Sequence, residues 1–364
     1  MKIIQVISDS NIGGAGRYLL TFFQGVDKNN FGVYLPKGSK LIPEIERLGV
    51  FYRELDYIAE KSFDRRAVAE LRRLLRADAP DIVHTHAAMS ARIAAKFTKA
   101  KIVYTRHSVF EPAPRLTKFP LKQVNGSLNN FFSDKIIAVS PAAKDNLTAA
   151  GVPPDKIEVI YNGVFAAKTY QNLSELYAKY GLAETDFVAA IIGRLTPVKG
   201  HRYLLQAAEI LRSHQEIKFI IAGTGECADE ILAEVSARNL TNVVFAGFVR
   251  EIDSIENIMD VQINASYGTE ATSLSLLEGM SLGKPAIVSD FGGNPYVIEN
   301  GVNGFVTAQK DPKAIAEKIL ILKQNKHLYA KMEKSAIEIY KTKFTAEKMT
   351  AEILDLYERV LKNG

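Results

Sequence analysis

An α/β protein of two Rossmann-like parallel-sheet domains is what this sequence predicts, and three observations carry the expectation. Short β-branched runs alternate with helically spaced apolar residues, the pattern of βαβ units feeding a parallel sheet. The pattern breaks off and restarts near the middle of the chain. The 364 residues exceed one ordinary α/β domain and suit two of about 150–200 residues each.

In the first half the expected strands are 2–8, 31–35, 51–55, 82–84, 101–105, 136–139 and 157–161, with helices between them. In the stretch Arg65–Ala77, for example, Val68, Leu71, Leu74 and Leu75 recur at helical spacing. The second half is expected to hold strands 188–192, 218–222, 243–246, 261–264, 285–289 and 304–306. The polar segment between the halves reads as a linker, 164–186, which gives domains of 1–163 and 187–343. Beyond Asp311 the pattern is helical almost to the end. Two such domains facing one another place ligands at the carboxyl ends of both sheets and make closure around a ligand the expected motion.

Composition narrows the function. With 47% apolar and 24% charged residues, the chain suits a folded protein with sizeable cores. The single Cys227 excludes an internal disulfide and a thiolate metal cluster, which fits a reducing, cytoplasmic compartment. No apolar run approaches the roughly 20 residues of a membrane span, and residues 2–7 read as a buried strand rather than a signal segment. Residues 1–163 hold 24 Lys and Arg against 16 Asp and Glu, whereas the remainder holds 22 against 25. A basic half beside a slightly acidic one suggests two tasks, or only a drift of solvated surface charge.

Three motifs follow strands, where α/β sheets bind ligands. Gly13-Gly14-Ala15-Gly16 comes after the first strand and before an expected helix 17–25. Glycines there allow a tight turn and close approach to an anion at the helix N-terminus, or serve only the turn. It is not a dinucleotide fingerprint, because Leu19 stands where the third glycine belongs. Arg194 and Lys199, in Gly193-Arg194-Leu195-Thr196-Pro197-Val198-Lys199-Gly200, offer a planar fork and a point charge for phosphate oxygens. Glu270 and Glu278 flank a helix start at Thr272, Ser273 and Leu274, whose backbone N–H groups suit a diphosphate. Glu278 then falls about 1.5 turns into the helix, roughly 6–9 Å along its axis. A carboxylate accepting from neighbouring hydroxyls suits a sugar at Glu270 and a ribose at Glu278.

These motifs, with Gly292-Gly293-Asn294-Pro295 and Asn300-Gly301-Val302-Asn303-Gly304, resemble retaining glycosyltransferases of group 1, family 4, in order and spacing over nearly the whole chain. The resemblance implies a GT-B fold, with a final helix, 344–364, crossing back to the first domain. It implies that Arg194, Lys199, Thr272, Ser273 and Leu274 bind the donor diphosphate, and that Glu278 holds the ribose. Glu270 would contact the donor sugar, Gly14 and Gly16 would close over the phosphates, and His107 would lie beside the sugar. The catalytic pair is thus Glu270 and His107. Ala271 and Tyr296 depart from the family's usual Gly and Glu, which bears on donor identity.

No Asp-x-Asp occurs, so metal-independent stabilisation of a UDP- or GDP-linked donor is expected, with no further cofactor. The acceptor hydroxyl is expected on the N-terminal domain, and no recognition motif there points to nucleic acid as a partner. There Arg106, Arg115, Lys118 and Lys122 interleave with Phe110, Leu116, Phe119 and Leu121. That stretch reads as peripheral contact with an anionic membrane, and so with a lipid-linked acceptor, or as a basic loop over buried aromatics. Two further readings share the architecture: a nucleotide-sugar epimerase or hydrolase of the same fold, and a non-enzymatic two-lobed binding protein.

Overall fold

A computed structural model describes residues 1–58, 63–110 and 117–362. The chain divides into two compact units, residues 1–164 with 345–364, and residues 165–344.

The first unit holds a seven-stranded sheet of β1 (Ile3–Ile7), β2 (Phe31–Pro36), β3 (Phe51–Leu55), β4 (Ile82–His86), β5 (Lys101–Arg106), β6 (Lys135–Ala138) and β7 (Ile157–Val159). The order is β3-β2-β1-β4-β5-β6-β7, and every pairing is parallel. The second unit holds β8 (Phe187–Ile192), β9 (Ile217–Ala222), β10 (Val243–Gly247), β11 (Val261–Asn264), β12 (Ala286–Ser289) and β13 (Gly304–Thr307). Its order is β10-β9-β8-β11-β12-β13, again all parallel. Each sheet is covered on both faces, so central strands such as β1 are buried end to end and read as apolar runs.

In both sheets the strand order reverses once, between β1 and β4 and between β8 and β11. Helices on either side of such a switch point lie on opposite faces of the sheet. The loops at its carboxyl end therefore diverge and leave a crevice.

The segment 164–186 is not a free linker. Leu173, Leu176, Tyr177 and Tyr180 pack on the second core, and the Tyr177 hydroxyl donates to the Ile258 carbonyl. These apolar side chains, set among polar neighbours, tie the segment down. The last helix, Ala346–Lys362, belongs to the first unit, where Met349, Ile353, Leu356, Tyr357 and Val360 fill one stripe against the sheet. Burying each contributes about 1.5–3 kcal/mol, enough to anchor the chain terminus.

Candidate functional site

In the second unit the structure brings two of the predicted residues, Lys199 and Glu270, into contact at the switch point. The loop after β8 carries Arg194 and Lys199, and the loop after β11 carries Glu270. The two loops are joined through the Tyr267 N–H, which donates to the Val198 carbonyl at 2.9 Å. Lys199 Nζ lies 2.6 Å from Glu270 Oε2, an ion pair in which Glu270 is 6% exposed. Asn264 Nδ2 and Ser266 Oγ donate to the same oxygen, each at 3.2 Å. Three donors on Oε2 fix the carboxylate and leave Oε1 to be offered to a ligand.

Glycines set the loops. A Cβ on Gly200, whose φ is +74°, would stand 2.1 Å from the Ala265 carbonyl oxygen, so only glycine lets the lysine loop lie on β11. Gly292, with φ +58°, approaches the Glu270 carbonyl so closely that a Cβ would sit 2.0 Å from its oxygen. The Gly293 N–H donates to that same carbonyl at 3.0 Å. The Gly292-Gly293 motif is therefore a support for the Glu270 backbone.

The helix Leu274–Ser281 begins one residue after Ser273, which caps it in extended conformation with no side-chain cap bond. Ser273 Oγ instead meets Ser275 Oγ at 3.1 Å, and Thr272 Oγ1 donates to the Ala271 carbonyl. The first-turn N–H groups of a helix lack intrahelical acceptors and suit an anion, as Leu274 and its neighbours were expected to do. Glu278 is buried on this helix, and Arg194 is exposed on its loop. A pocket at the carboxyl ends of β8 and β11 is lined by Gly193, Lys199, His201, Asn264, Ser266 and Ser273.

His201 is a residue the sequence reading missed. It is 3% exposed, lines that pocket, and has both ring nitrogens buried without a partner. Burial, and then the Lys199 charge, pull its pKa down to about 4, so it is a neutral hydrogen-bonding group. Its signal was only its place directly after Gly200. Asn264 and Ser266 were not singled out either, and their only signal was polarity at the carboxyl end of β11.

In the first unit the glycine run is not a loop ahead of the helix. The helix starts at Gly14 and runs to Gln24, so Gly14 and Gly16 occupy its first turn rather than preceding Arg17. The Asn11 N–H bonded to Asp9 Oδ1, and the Gly13 N–H bonded to the Asn11 carbonyl, form the turn early and let the helix begin there. Gly16 is tight, with a Cβ falling 3.0 Å from Leu41, while Gly14 has nothing within 4 Å. The fold thus needs Gly16 small and leaves open space over Gly14.

His107 follows β5 and joins a buried network, none of whose other members was singled out in the sequence. His86 Nδ1 lies 2.7 Å from His107 Nε2, and His86 Nε2 lies 2.9 Å from Gln5 Oε1. Gln5 Nε2 donates to the Tyr357 hydroxyl at 2.9 Å. That hydroxyl is 2.6 Å from His84 Nδ1, and His84 Nε2 is 2.6 Å from Thr105 Oγ1. With the Gln5 carbonyl accepting from His86 Nε2–H, His86 Nδ1 must accept, so neutral His107 donates from Nε2 and presents Nδ1 as an acceptor. The signal available was polar Gln5, His84 and His86 inside strands buried on both faces.

Burial holds the histidines neutral. It lowers His84 and His107 to about 3 and His86 well below its ordinary value, the neighbouring histidines adding to the effect on His84 and His86. The unfolded chain protonates them below about pH 6.5 and the folded chain does not, so folding stability falls as pH drops through that value towards 3. Each site removes up to about 1.4 kcal/mol per pH unit. Thermal melts between pH 7.5 and 5, above the main carboxylate range, are expected to show a steady loss of stability. A flat profile over that window would reject the network as described.

Arg106, part of the expected basic surface, is half-buried and engaged by its neighbours. Its guanidinium lies over the Phe110 ring at 4.3 Å and Nε donates to the Ser108 carbonyl at 3.0 Å. Arg115 and Leu116 lie outside the described residues. Among the described residues no group of three or more His, Cys, Asp or Glu is placed to hold a metal ion.

Residues 12–168 match the family Glycosyltransferase Family 4, and residues 174–339 match Glycosyl transferases group 1. The chain belongs to the group 1, family 4 glycosyltransferases. Among similar proteins, an uncharacterised glycosyltransferase of Methanocaldococcus jannaschii is 30% identical over 52% of this chain, and the match spans half of that relative's length. The UDP-Gal:alpha-D-GlcNAc-diphosphoundecaprenol alpha-1,3-galactosyltransferase of Escherichia coli is 29% identical over 82% of this chain and 81% of its own. The crystal structure of Anabaena HepE in complex with UDP superposes with a TM-score of 0.86 at 22% identity, over 99% of this chain and 100% of that one. The fold is GT-B, and membership of a glycosyltransferase family sets aside the non-enzymatic binding protein.

Proposed function

We propose that this glycosyltransferase moves a sugar, with retention of anomeric configuration and without a metal ion, from a UDP- or GDP-linked donor to a hydroxyl on a lipid-linked or cell-surface glycan precursor. The observation that carries the reading is the Lys199–Glu270 ion pair, braced by Asn264 and Ser266 at the switch point. The UDP bound to HepE and the diphosphoundecaprenol-linked acceptor of the Escherichia coli relative support the donor and acceptor classes.

Chemically, the bond between the anomeric carbon and the diphosphate oxygen breaks as the acceptor oxygen bonds to that carbon from the same face. The acceptor proton passes to the departing oxygen. Arg194, Lys199 and the helix N-terminus at Thr272–Leu274 stabilise the charge that develops on the diphosphate. Glu278 accepts from the ribose hydroxyls, and Glu270 Oε1 from a sugar hydroxyl. The Nδ1 of neutral His107 accepts from another sugar hydroxyl, and Gly14 and Gly16 leave the backbone open to the phosphates.

Thermal shift with nucleotide diphosphates tests the donor site directly. UDP or GDP at 100 times its Kd stabilises the fold by about 2.7 kcal/mol, and the gain is expected to persist in EDTA. Loss of the shift in EDTA removes metal independence. Proton NMR of the product checks retention, and donor turnover without any acceptor would favour the epimerase or hydrolase reading.

A further inference from the structure

The helix Leu121–Phe131 buries the wrong face for an ordinary surface helix. Towards the protein it turns Asn125, Gly126 and Asn129. A Cβ on Gly126 would stand 2.0 Å from the Gly151 carbonyl oxygen, so the helix lies directly on the backbone beneath it. Asn125 Nδ2 donates to the Ala150 carbonyl at 2.6 Å, and Arg92 donates to Asn129 Oδ1 at 2.8 Å. The attachment is thus made by glycine and hydrogen bonds. Meanwhile Leu121, Val124, Leu128 and Phe131, spaced along one stripe, are 42% to 56% exposed, and Phe119 just before the helix is 82% exposed. A contiguous apolar stripe in water implies a covering partner.

We propose that this stripe is the element that docks on an anionic lipid surface, with Phe119, Leu128 and Phe131 entering the headgroup–acyl boundary. This rests on the peripheral membrane contact suggested by the acceptor class and gives it a place in the fold. Charge selects the occupant. From Ile93 to Ser133 the sequence holds seven Lys and Arg and one acid, Glu111. Lys118 and Lys122 flank the stripe, and Lys96 Nζ lies 4.6 Å over the Phe131 ring. Phe97, 53% exposed beside Lys96, extends the apolar surface under the Arg72 guanidinium at 4.8 Å. Apolar rings rimmed by cations suit anionic lipid, where buried apolar area and surface potential add. A second copy of the same face would set these cations against one another.

The chain has no tryptophan, so Leu128→Trp in the otherwise natural, nucleotide-free protein gives a single emission probe. Vesicles of phosphatidylcholine with about a third phosphatidylglycerol are expected to shift its emission to the blue and to float the protein. Pure phosphatidylcholine is expected to bind at least about tenfold more weakly, as is the anionic mixture in 0.5 M salt. Phe119→Ser combined with Phe131→Ser, on exposed positions that leave the melting temperature unchanged, should weaken flotation by about tenfold or more. No blue shift on anionic vesicles overturns the proposal, as does binding indifferent to salt or to the double substitution. A concentration-dependent dimer that buries the probe without lipid overturns it in favour of a second copy. Because no donor is present, a negative result leaves the nucleotide thermal shift untouched, and the two readings fail separately.

Discussion

Glu270→Gln is expected to lower turnover by about a thousand-fold while leaving affinity for the nucleotide diphosphate unchanged or higher. The substitution keeps the side chain's shape among Lys199, Asn264 and Ser266 and removes its charge. Two consequences separate. A neutral amide no longer holds the sugar through a charge-assisted bond as positive character grows at the anomeric carbon, and such interactions are worth on the order of 10²–10³ in rate each. Lys199, released from its 2.6 Å partner, is freer to meet the diphosphate. Steady-state kinetics and titration calorimetry with the nucleotide diphosphate check the split. Turnover within tenfold of the natural enzyme would sink the assignment, and a parallel loss of nucleotide affinity would give Glu270 a structural task only.

Gly292→Ala is expected to be the most damaging change that leaves every charged residue in place. Alanine at φ +58° carries a backbone penalty of about 1–2 kcal/mol, and its Cβ would meet the Glu270 carbonyl oxygen, so backbone must move. A shift of about 1 Å at a reacting group lowers rate on the order of a hundred-fold. Gly301→Ala is the matched control, since Gly301 has φ +80° and nothing within 4 Å of its Cβ position. Both variants should melt several degrees low, at roughly 2–4 °C per kcal/mol for a unit of this size. Only Gly292→Ala should lose turnover. Equal activity losses in the two would show that strain alone, and not the support of Glu270, is at stake.

Much of the fold was legible because a parallel sheet buried on both faces demands near-continuous apolar strands. Each expected strand of the first half overlaps an observed one, from β1 at Ile3–Ile7 to β7 at Ile157–Val159, with ends displaced by a few residues. Strand β4 is expected over 82–84, yet it runs on through Thr85 to His86. Histidines belong in that strand only because Gln5, Tyr357 and Thr105 supply their partners, and those lie far away in sequence. The reading of 164–186 as a linker failed for a similar reason. Sparse apolar residues look like a linker until a core is found for them to fill.

By itself the sequence determined the α/β class, the two sheets, the family, and the residue types at the proposed donor site, since strand periodicity and motif spacing are local properties. The tertiary structure alone decided how those residues are held. It joined Lys199 to Glu270 across 71 positions, made Gly292 a support for a carbonyl 22 residues away, and set the tautomer of His107 through a bond network. It also turned the apolar stripe of Leu121–Phe131 outward. Hydrogen-bond partners, close backbone approach and the choice of buried face depend on chain segments meeting in space, which no local pattern encodes.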